Sequence, residues 1–356
     1  MSNSLRQPKL ARTSEFAWPA GDQPGELVFA QAVAPQLADR IVTALRGRLP
    51  GIDGPGVAIT ALATVTGVLG RFRLVTGAGV WFVRISARWG EPELEQALAG
   101  FLRERGVGVN WIEIAGLPFS HDGHDFRLDA RPFLDARHFN GSDADLLALA
   151  TTLTNCHRAL RDFPRASEIR ALAAVRFAGL SDTLNAMRTA HAAQRWDFFA
   201  ADSAWAEKRA DWLGEMIAGF TPRLDLAEDA QCVHSQIHRG NVVFLLATGA
   251  PVLLDFEESI HTFVPPAWDS AHLVQRFCLH DSPTQAVLAA RLEVIIAGCK
   301  APLGALATMM RQCAWLSIAI LVRDHSVEGA GAPVAEYEKF VAFERQAATH
   351  ANLLGG

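Results

Sequence analysis

Apolar residues recur at strand spacing in the first third of the chain and at helical spacing in most of the rest. Residues 1–25 are polar and interrupted by Pro8, Pro19 and Pro24, which predicts a loose extension. Residues 35–49 predict a first helix, closed by the breaker run 50–56. Alternation over 57–75, around Gly67 and Gly70, and over 80–85 predicts strands. Leu94, Ala97, Leu98, Phe101 and Leu102 share one face of a helix that Gly106 stops. Short apolar runs at 111–114 and 126–128, joined by the turn-rich 121–123, predict two more strands. Beyond Arg131 the pattern is helical. Ser142 with Asp145 three residues on has capping-box spacing and opens a helix through Leu146, Leu149, Leu153 and Leu160. Trp205, Trp212, Leu213, Met216, Ile217 and Phe220 mark another helix. The apolar runs 242–246 and 252–254, separated by Thr248-Gly249-Ala250, interrupt the helices with a hairpin. From Ala267 onward helices return. The expectation is an α+β chain with a small β-rich lobe at 53–130 and a larger helical lobe at 131–356. Residues 1–52 would be an extension carrying one helix.

With 356 residues the chain has material for two lobes with real cores. Thirty-three basic against 38 acidic residues give a net charge of −5, so no general attraction to nucleic acid or anionic lipid is expected. No uncharged apolar stretch approaches the roughly 20 residues that span a bilayer, and the N-terminus lacks the apolar segment of a secretory signal. Five cysteines, odd in number and never in a C-x-x-C pair, fit reduced thiols in a cytoplasmic protein.

The hairpin carries the chemistry. It reads His234-Ser235-Gln236-Ile237-His238-Arg239-Gly240-Asn241 before its first strand and Asp255-Phe256-Glu257 after its second. An Asn and an Asp at the same end of one hairpin bring together two hard oxygens, a donor set that suits Mg²⁺ because phosphate and water complete its shell. Either residue alone is as readily a turn cap. Other site patterns fail. His234 and His238 have the spacing of a zinc helix, but Ser235 stands where H-E-x-x-H needs Glu. No P-loop, G-x-G-x-x-G or G-x-S-x-G sequence occurs.

This segment resembles the aminoglycoside phosphotransferase and choline kinase-like family, whose catalytic stretch H-G-D-x-H-x-x-N is followed by a strand, a turn and I-D-F/W-E. The resemblance implies a two-lobed protein-kinase-like fold that binds ATP and Mg²⁺ and phosphorylates a hydroxyl of a small molecule. By position it makes His234 and His238 the two catalytic-loop histidines and Asn241 and Asp255 the metal ligands. Asp269, in Pro266-Ala267-Trp268-Asp269, matches a mainly structural Asp. In the first lobe the resemblance implies that Arg84 and Glu95 position the phosphates; the turn around Gly67 and Gly70 would cover them, or is an ordinary turn between strands. The resemblance also implies that 131–134 forms a hinge against adenine. Arg84 stands where Lys is usual, and it keeps the charge. Gln236 stands where the catalytic Asp is usual, and an amide cannot take up a proton. The expected activity is therefore a phosphotransferase impaired at its base. The alternative is a pseudokinase that binds nucleotide or metabolite without transfer, and a protein that kept only the fold is a third reading. Glu257 and Glu258 beside Asp255 would suit a cationic acceptor, or supply a replacement acid.

Overall fold

The computed structural model describes residues 31–61, 68–87, 90–281, 283–299, 306–326, 329 and 331–355. The predicted extension over 1–25 and Gly67 lie outside them. The chain divides into two compact units, Met1–Trp89 with Glu113–Phe133, and Gly90–Ile112 with Leu134–Gly356.

The first unit contains β1 (Gln31–Ala32), α1 (Pro35–Leu45), β2 (Ala58–Ala61), β3 (Val68–Thr76), β4 (Gly79–Ser86), β5 (Ile114–His121) and β6 (His124–Pro132). They form one antiparallel sheet in the order β1-β2-β3-β4-β6-β5. Alternate residues Phe72 and Leu74, Trp81, Val83 and Ile85, and Leu128 and Ala130 point into a single core. Ile41 and Leu45 of α1, with Leu49 and Ile52 after it, close that core. From Pro35 on, the N-terminal segment is thus part of the unit rather than an extension to it. The helix ends at Leu45 instead of residue 49, because Gly47 turns the chain through a positive φ of 66°. The strand expected at 111–114 begins only at Ile114 and continues to His121. Its turn into β6 has positive φ at both Asp122 (49°) and Gly123 (78°), the backbone twist that closes a tight hairpin.

The second unit starts with α2 (Pro92–Glu104), opened by a Pro at its N-terminus and followed by Gly106 at φ 74°. The boundaries 53–130 and 131–356 placed this helix in the small lobe. Its stripe of Leu94, Leu98 and Leu102 instead belongs to the larger core, so residues 90–112 group with the helical unit. There follow β7 (Ala136–Arg137), α3 (Asp143–Arg161), α4 (Ala166–Ala192), α5 (Ser203–Lys208), α6 (Ala210–Gly219), β8 (Gln231–Cys232), β9 (Val242–Leu245), β10 (Pro251–Leu253) and β11 (Phe263–Val264). The unit ends with α7 (Ala267–Leu273), a π-helical turn over Val274–Cys278, α8 (Gln285–Cys299), α9 (Leu306–Ser326), α10 (Val334–Thr349) and α11 (Ala351–Leu354). Ser142 caps α3 by accepting the Asp145 N–H at 3.2 Å.

The hairpin β9–β10 carries β7 on its β9 side, and Val109 bridges Leu253 in parallel on the other. Leu253 N–H donates to the Gly108 carbonyl (2.8 Å) and Asn110 N–H to the Leu253 carbonyl (3.1 Å). A Cβ at Gly108 would overlap the Pro251 carbonyl oxygen, so only glycine allows this approach. The hairpin is therefore held on both edges before the chain reaches Asp255. Among the described residues no helix is long and apolar enough to cross a membrane, and the five cysteines are free thiols, four of them buried.

Candidate active site

The segment between β8 and β9 is an irregular loop, so its backbone polar groups need partners from elsewhere. One buried carboxylate takes two consecutive N–H groups of the loop. Asp269, near the start of α7, accepts the backbone N–H of His234 (2.8 Å) and of Ser235 (2.7 Å), and the Nε2 of His157 on α3 (2.8 Å). Burial alone would push its carboxyl up. The His157 hydrogen bond and charge, with His234 and the backbone donor, outweigh that and hold it below the usual range. Trp268 Nε1 donates to the Ser235 carbonyl at 3.1 Å, and Ser259 Oγ to that of His234 at 2.7 Å. Ser235, in the motif's glycine place, has φ 77°. Its hydroxyl donates to Thr262 Oγ1 at 3.1 Å, since the Thr262 proton goes to the Glu258 carbonyl at 2.8 Å, and glycine would offer no such bond.

His234 is fully buried and works as a spacer within the loop. Its Nδ1 accepts the Gln236 N–H (3.3 Å), which puts the ring proton on Nε2, where it donates to the Leu254 carbonyl (2.8 Å). Burial lowers its pKa, and the Phe256 ring packs against it at 4.5 Å. Gln236 is thus fixed through its N–H on one side. On the other, Asn241 Nδ2 donates to its carbonyl at 3.2 Å. The Gln236 side chain is partly exposed and makes no hydrogen bond among the described residues.

The hairpin register pairs Val242 with Leu253, and Leu254 N–H donates to the Asn241 carbonyl at 2.9 Å. Asn241 and Asp255 therefore leave the same end of the hairpin. With its Nδ2 spent on Gln236, Asn241 keeps an Oδ1 that has no hydrogen-bond partner among the described residues. Asp255 sits at φ 60°, a conformation non-glycine residues hold mainly where the surroundings impose it. Among the described residues no three His, Cys, Asp or Glu side chains gather as a metal cage. Two oxygens at a hairpin end fit Mg²⁺, which leaves most of its sites to phosphate and water. Glu258 is taken up by Arg176 of α4 at 2.7 Å.

His238 accepts the Gly240 N–H on Nδ1 at 3.1 Å and opens the helical turn that ends at Asn241. Burial, then the positive charge of Arg276, pushes its pKa down to about 3, and the same two causes push His272 down to about 4. Both rings are neutral, and a neutral imidazole this weakly basic is a poor proton acceptor. Unfolding frees both to titrate near their ordinary 6.5. The unfolded chain then binds more protons, so stability is full above about pH 6.5 and is lost as pH falls toward 4. The melting temperature is expected to drop over that interval, and less steeply in His238→Gln. A flat profile from pH 7 to 4.5 would contradict the buried neutral state.

Of the first-lobe residues, Arg84 lies on β4 opposite Asp129 of β6 and donates to it at 3.3 Å. Arg127 binds the same carboxylate at 2.8 and 2.9 Å. Burial raises the Asp129 pKa, and Arg84 and Arg127 overcome it to give a net lowering. Within its own unit, then, Arg84 has an acidic partner that spacing alone did not indicate. Glu95 is buried on α2 of the second unit. Gly70 lies at an irregularity in the β3–β4 ladder with φ 155°, where a Cβ would press on the Phe72 ring. Asp129, Arg127, His157 and Ser235 are the site residues that sequence reasoning missed. Arg127 and Asp129 did leave a trace, as charges set inside an apolar strand.

The sequence model of the phosphotransferase enzyme family matches residues 66–298, more than half of the chain. No curated protein matches. Three solved structures similar to it are a Plasmodium vivax ethanolamine kinase, a proposed aminoglycoside phosphotransferase from Ralstonia eutropha and a microcompartment-associated aminopropanol kinase. The first is 10% identical with a TM-score of 0.53, covering 91% of each chain. The second is 16% identical with a TM-score of 0.52, over 89% of this chain and 98% of that one. The third is 13% identical with a TM-score of 0.50, over 88% and 96%. At such identities the likeness establishes the fold, which is protein-kinase-like. Because its family model spans more than half of the chain, the protein belongs to the phosphotransferase enzyme family.

Proposed function

We propose that the protein transfers the γ-phosphoryl group of ATP to a hydroxyl of a small molecule, with Mg²⁺. The observation that carries this reading is the pair Asn241 and Asp255, presented from one end of a hairpin beside the Gln236 loop. Bound Mg²⁺ would neutralise phosphate charge, the main demand of phosphoryl transfer. Asn241 Oδ1 and the Asp255 carboxylate would hold it. Arg84, steadied within its own unit by Asp129, would bind phosphate oxygens, and the Gly70 turn would approach the phosphates with its backbone. Residues 131–134 would meet the adenine.

Gln236 takes the acceptor's place-holding role. Its backbone is fixed from both sides, and its amide oxygen accepts a hydrogen bond from the attacking hydroxyl without removing the proton. His234 acts through the loop, and His238 holds the turn that presents Asn241. The missing carboxylate is also the observation that favours the second reading, a pseudokinase that binds nucleotide and does not transfer.

Thermal denaturation with ATP tests the binding half of the proposal. ATP with Mg²⁺ is expected to raise the melting temperature by several degrees, and ATP with EDTA by clearly less. Asp255→Asn and Asn241→Ala should lose the Mg²⁺-dependent part. Absence of any shift with ATP and Mg²⁺ would overturn both readings.

A further inference from the structure

Beside the catalytic loop, α7 and the π-helical turn leave three polar side chains within five residues with unpartnered buried atoms, His272, Gln275 and Arg276. Arg276 acts on the His272 ring, so those two lie close together. The Gln275 side chain is 7% exposed, and its Oε1 is buried with no hydrogen-bond partner. His272 Nε2 and Arg276 Nε are also buried and unpartnered. Unsatisfied buried polar atoms are rare in folded proteins, and three within five residues mark a place shaped for something else. The π-helical turn itself, closed by Leu279 N–H to the Val274 carbonyl at 3.1 Å, is a distortion often retained at functional positions.

Charge gives the character of the missing partner. Arg276 forms no ion pair among the described residues. The one carboxylate that acts on it, Glu336 of α10, is already paired with Lys339 at 2.9 Å. The charged groups acting on this place are Arg276, Lys339, Glu336 and Asp269, beside the neutral rings of His238 and His272. Glu336 is engaged by Lys339 and Asp269 by His157, which leaves the Arg276 guanidinium without a counter-ion of its own. The place is also tied to the catalytic loop. His272 packs between Trp268 (5.3 Å) and Phe343 (5.9 Å), and Trp268 is the residue whose Nε1 holds the Ser235 carbonyl. A buried guanidinium without a carboxylate, flanked by a spare imidazole nitrogen, is a receptor for an anion.

We propose that Arg276 and His272 bind an anionic group on the acceptor, a carboxylate or a phosphate ester, while Gln275 Oε1 takes a hydrogen bond from one of its hydroxyls. The acceptor is then a hydroxy acid or a phosphorylated polyol rather than the cationic amino alcohol that Glu257 and Glu258 suggested. This rests on the phosphotransferase reading for the word acceptor, and on the 272–276 segment alone for the anion.

Two measurements on the full chain keep those apart. ADP release is followed with Mg-ATP and glycerate or pantothenate as carboxylates, glycerol 3-phosphate or glucose 6-phosphate as phosphate esters, and choline or kanamycin as cations. Turnover is expected with one anionic group and not with the cations. Arg276→Gln should raise the KM for that acceptor about 10- to 100-fold with kcat little changed, the size of a lost charge-assisted hydrogen bond. Arg276→Lys should restore part of it. Separately, calorimetric binding of inorganic phosphate and of acetate should weaken at least about tenfold in Arg276→Gln. If that variant does not fold, Arg276→Lys takes its place, with acetate competition against the acceptor measured at saturating Mg-ATP. Turnover confined to cationic acceptors, or no anion binding at all, overturns the anion site. Arg276-dependent anion binding without turnover of any acceptor supports the site and counts against the phosphotransferase reading.

Discussion

Asp269→Ala is expected to cost about 3–5 kcal/mol, the penalty for removing one partner from a buried charged pair. Its two carboxylate oxygens take three donors, the His157 ring and the N–H groups of His234 and Ser235. Alanine leaves the two buried N–H groups and the His157 ring without their acceptor. For a unit of this size the loss corresponds to a fall in melting temperature of about 6–20 °C. The damage should be localised first at the loop. Amide exchange at residues 234–236 is expected to speed up ahead of the surrounding helices, since those amides lose their acceptor directly. Asp269→Asn should be intermediate, because its Nδ2 would face donors rather than accept from them. Unchanged exchange at 234–236 in Asp269→Ala would show that the loop is held by its other bonds, such as Trp268 Nε1 to Ser235.

Gln236→Asp is expected to raise kcat for phosphoryl transfer by about 10²- to 10⁴-fold, the usual worth of a positioned general base. The backbone at 236 is fixed by His234 Nδ1 and Asn241 Nδ2, neither of which depends on the side chain. The Gln236 amide makes no hydrogen bond among the described residues, so its replacement should leave the melting temperature nearly unchanged. Gln236→Glu supplies the same carboxylate on a side chain of glutamine's length and separates chemistry from reach. A gain in Asp alone points to a site still shaped for the shorter acid. A gain in Glu alone points to one that has adapted to glutamine. A fall in kcat for both, with ATP binding intact, would show that the amide itself is the working group.

The parts of the site that could be read along the chain are those whose geometry is local. Asn241 and Asp255 flank a hairpin, and hairpin register is set by the turn within a few residues. The capped start of α3 and the stripe of α2 are local in the same sense. What stayed hidden depends on which distant surface meets which. The stripe Leu94, Leu98, Leu102 announces a buried helix but not its core, and the core is that of the second unit. Arg84 meets Asp129 through strand register across β4 and β6, and His157 of α3 meets Asp269 of α7 across 112 residues of sequence. No periodicity encodes either pairing. The π-helical turn is quieter still, because the apolar pattern through Leu273, Val274, Phe277 and Cys278 reads as uninterrupted helix. Gln236 was legible at once, since a motif shows its departures as plainly as its matches.

The most direct test follows phosphorus itself. The full chain is incubated with Mg-ATP and the anionic and cationic hydroxyl compounds named above, and the mixtures are read by phosphorus NMR. A new phosphomonoester signal is predicted for one anionic acceptor, growing as ATP gives way to ADP and growing faster with Gln236→Asp. ATP left intact by both proteins with every acceptor would contradict phosphoryl transfer by this chain.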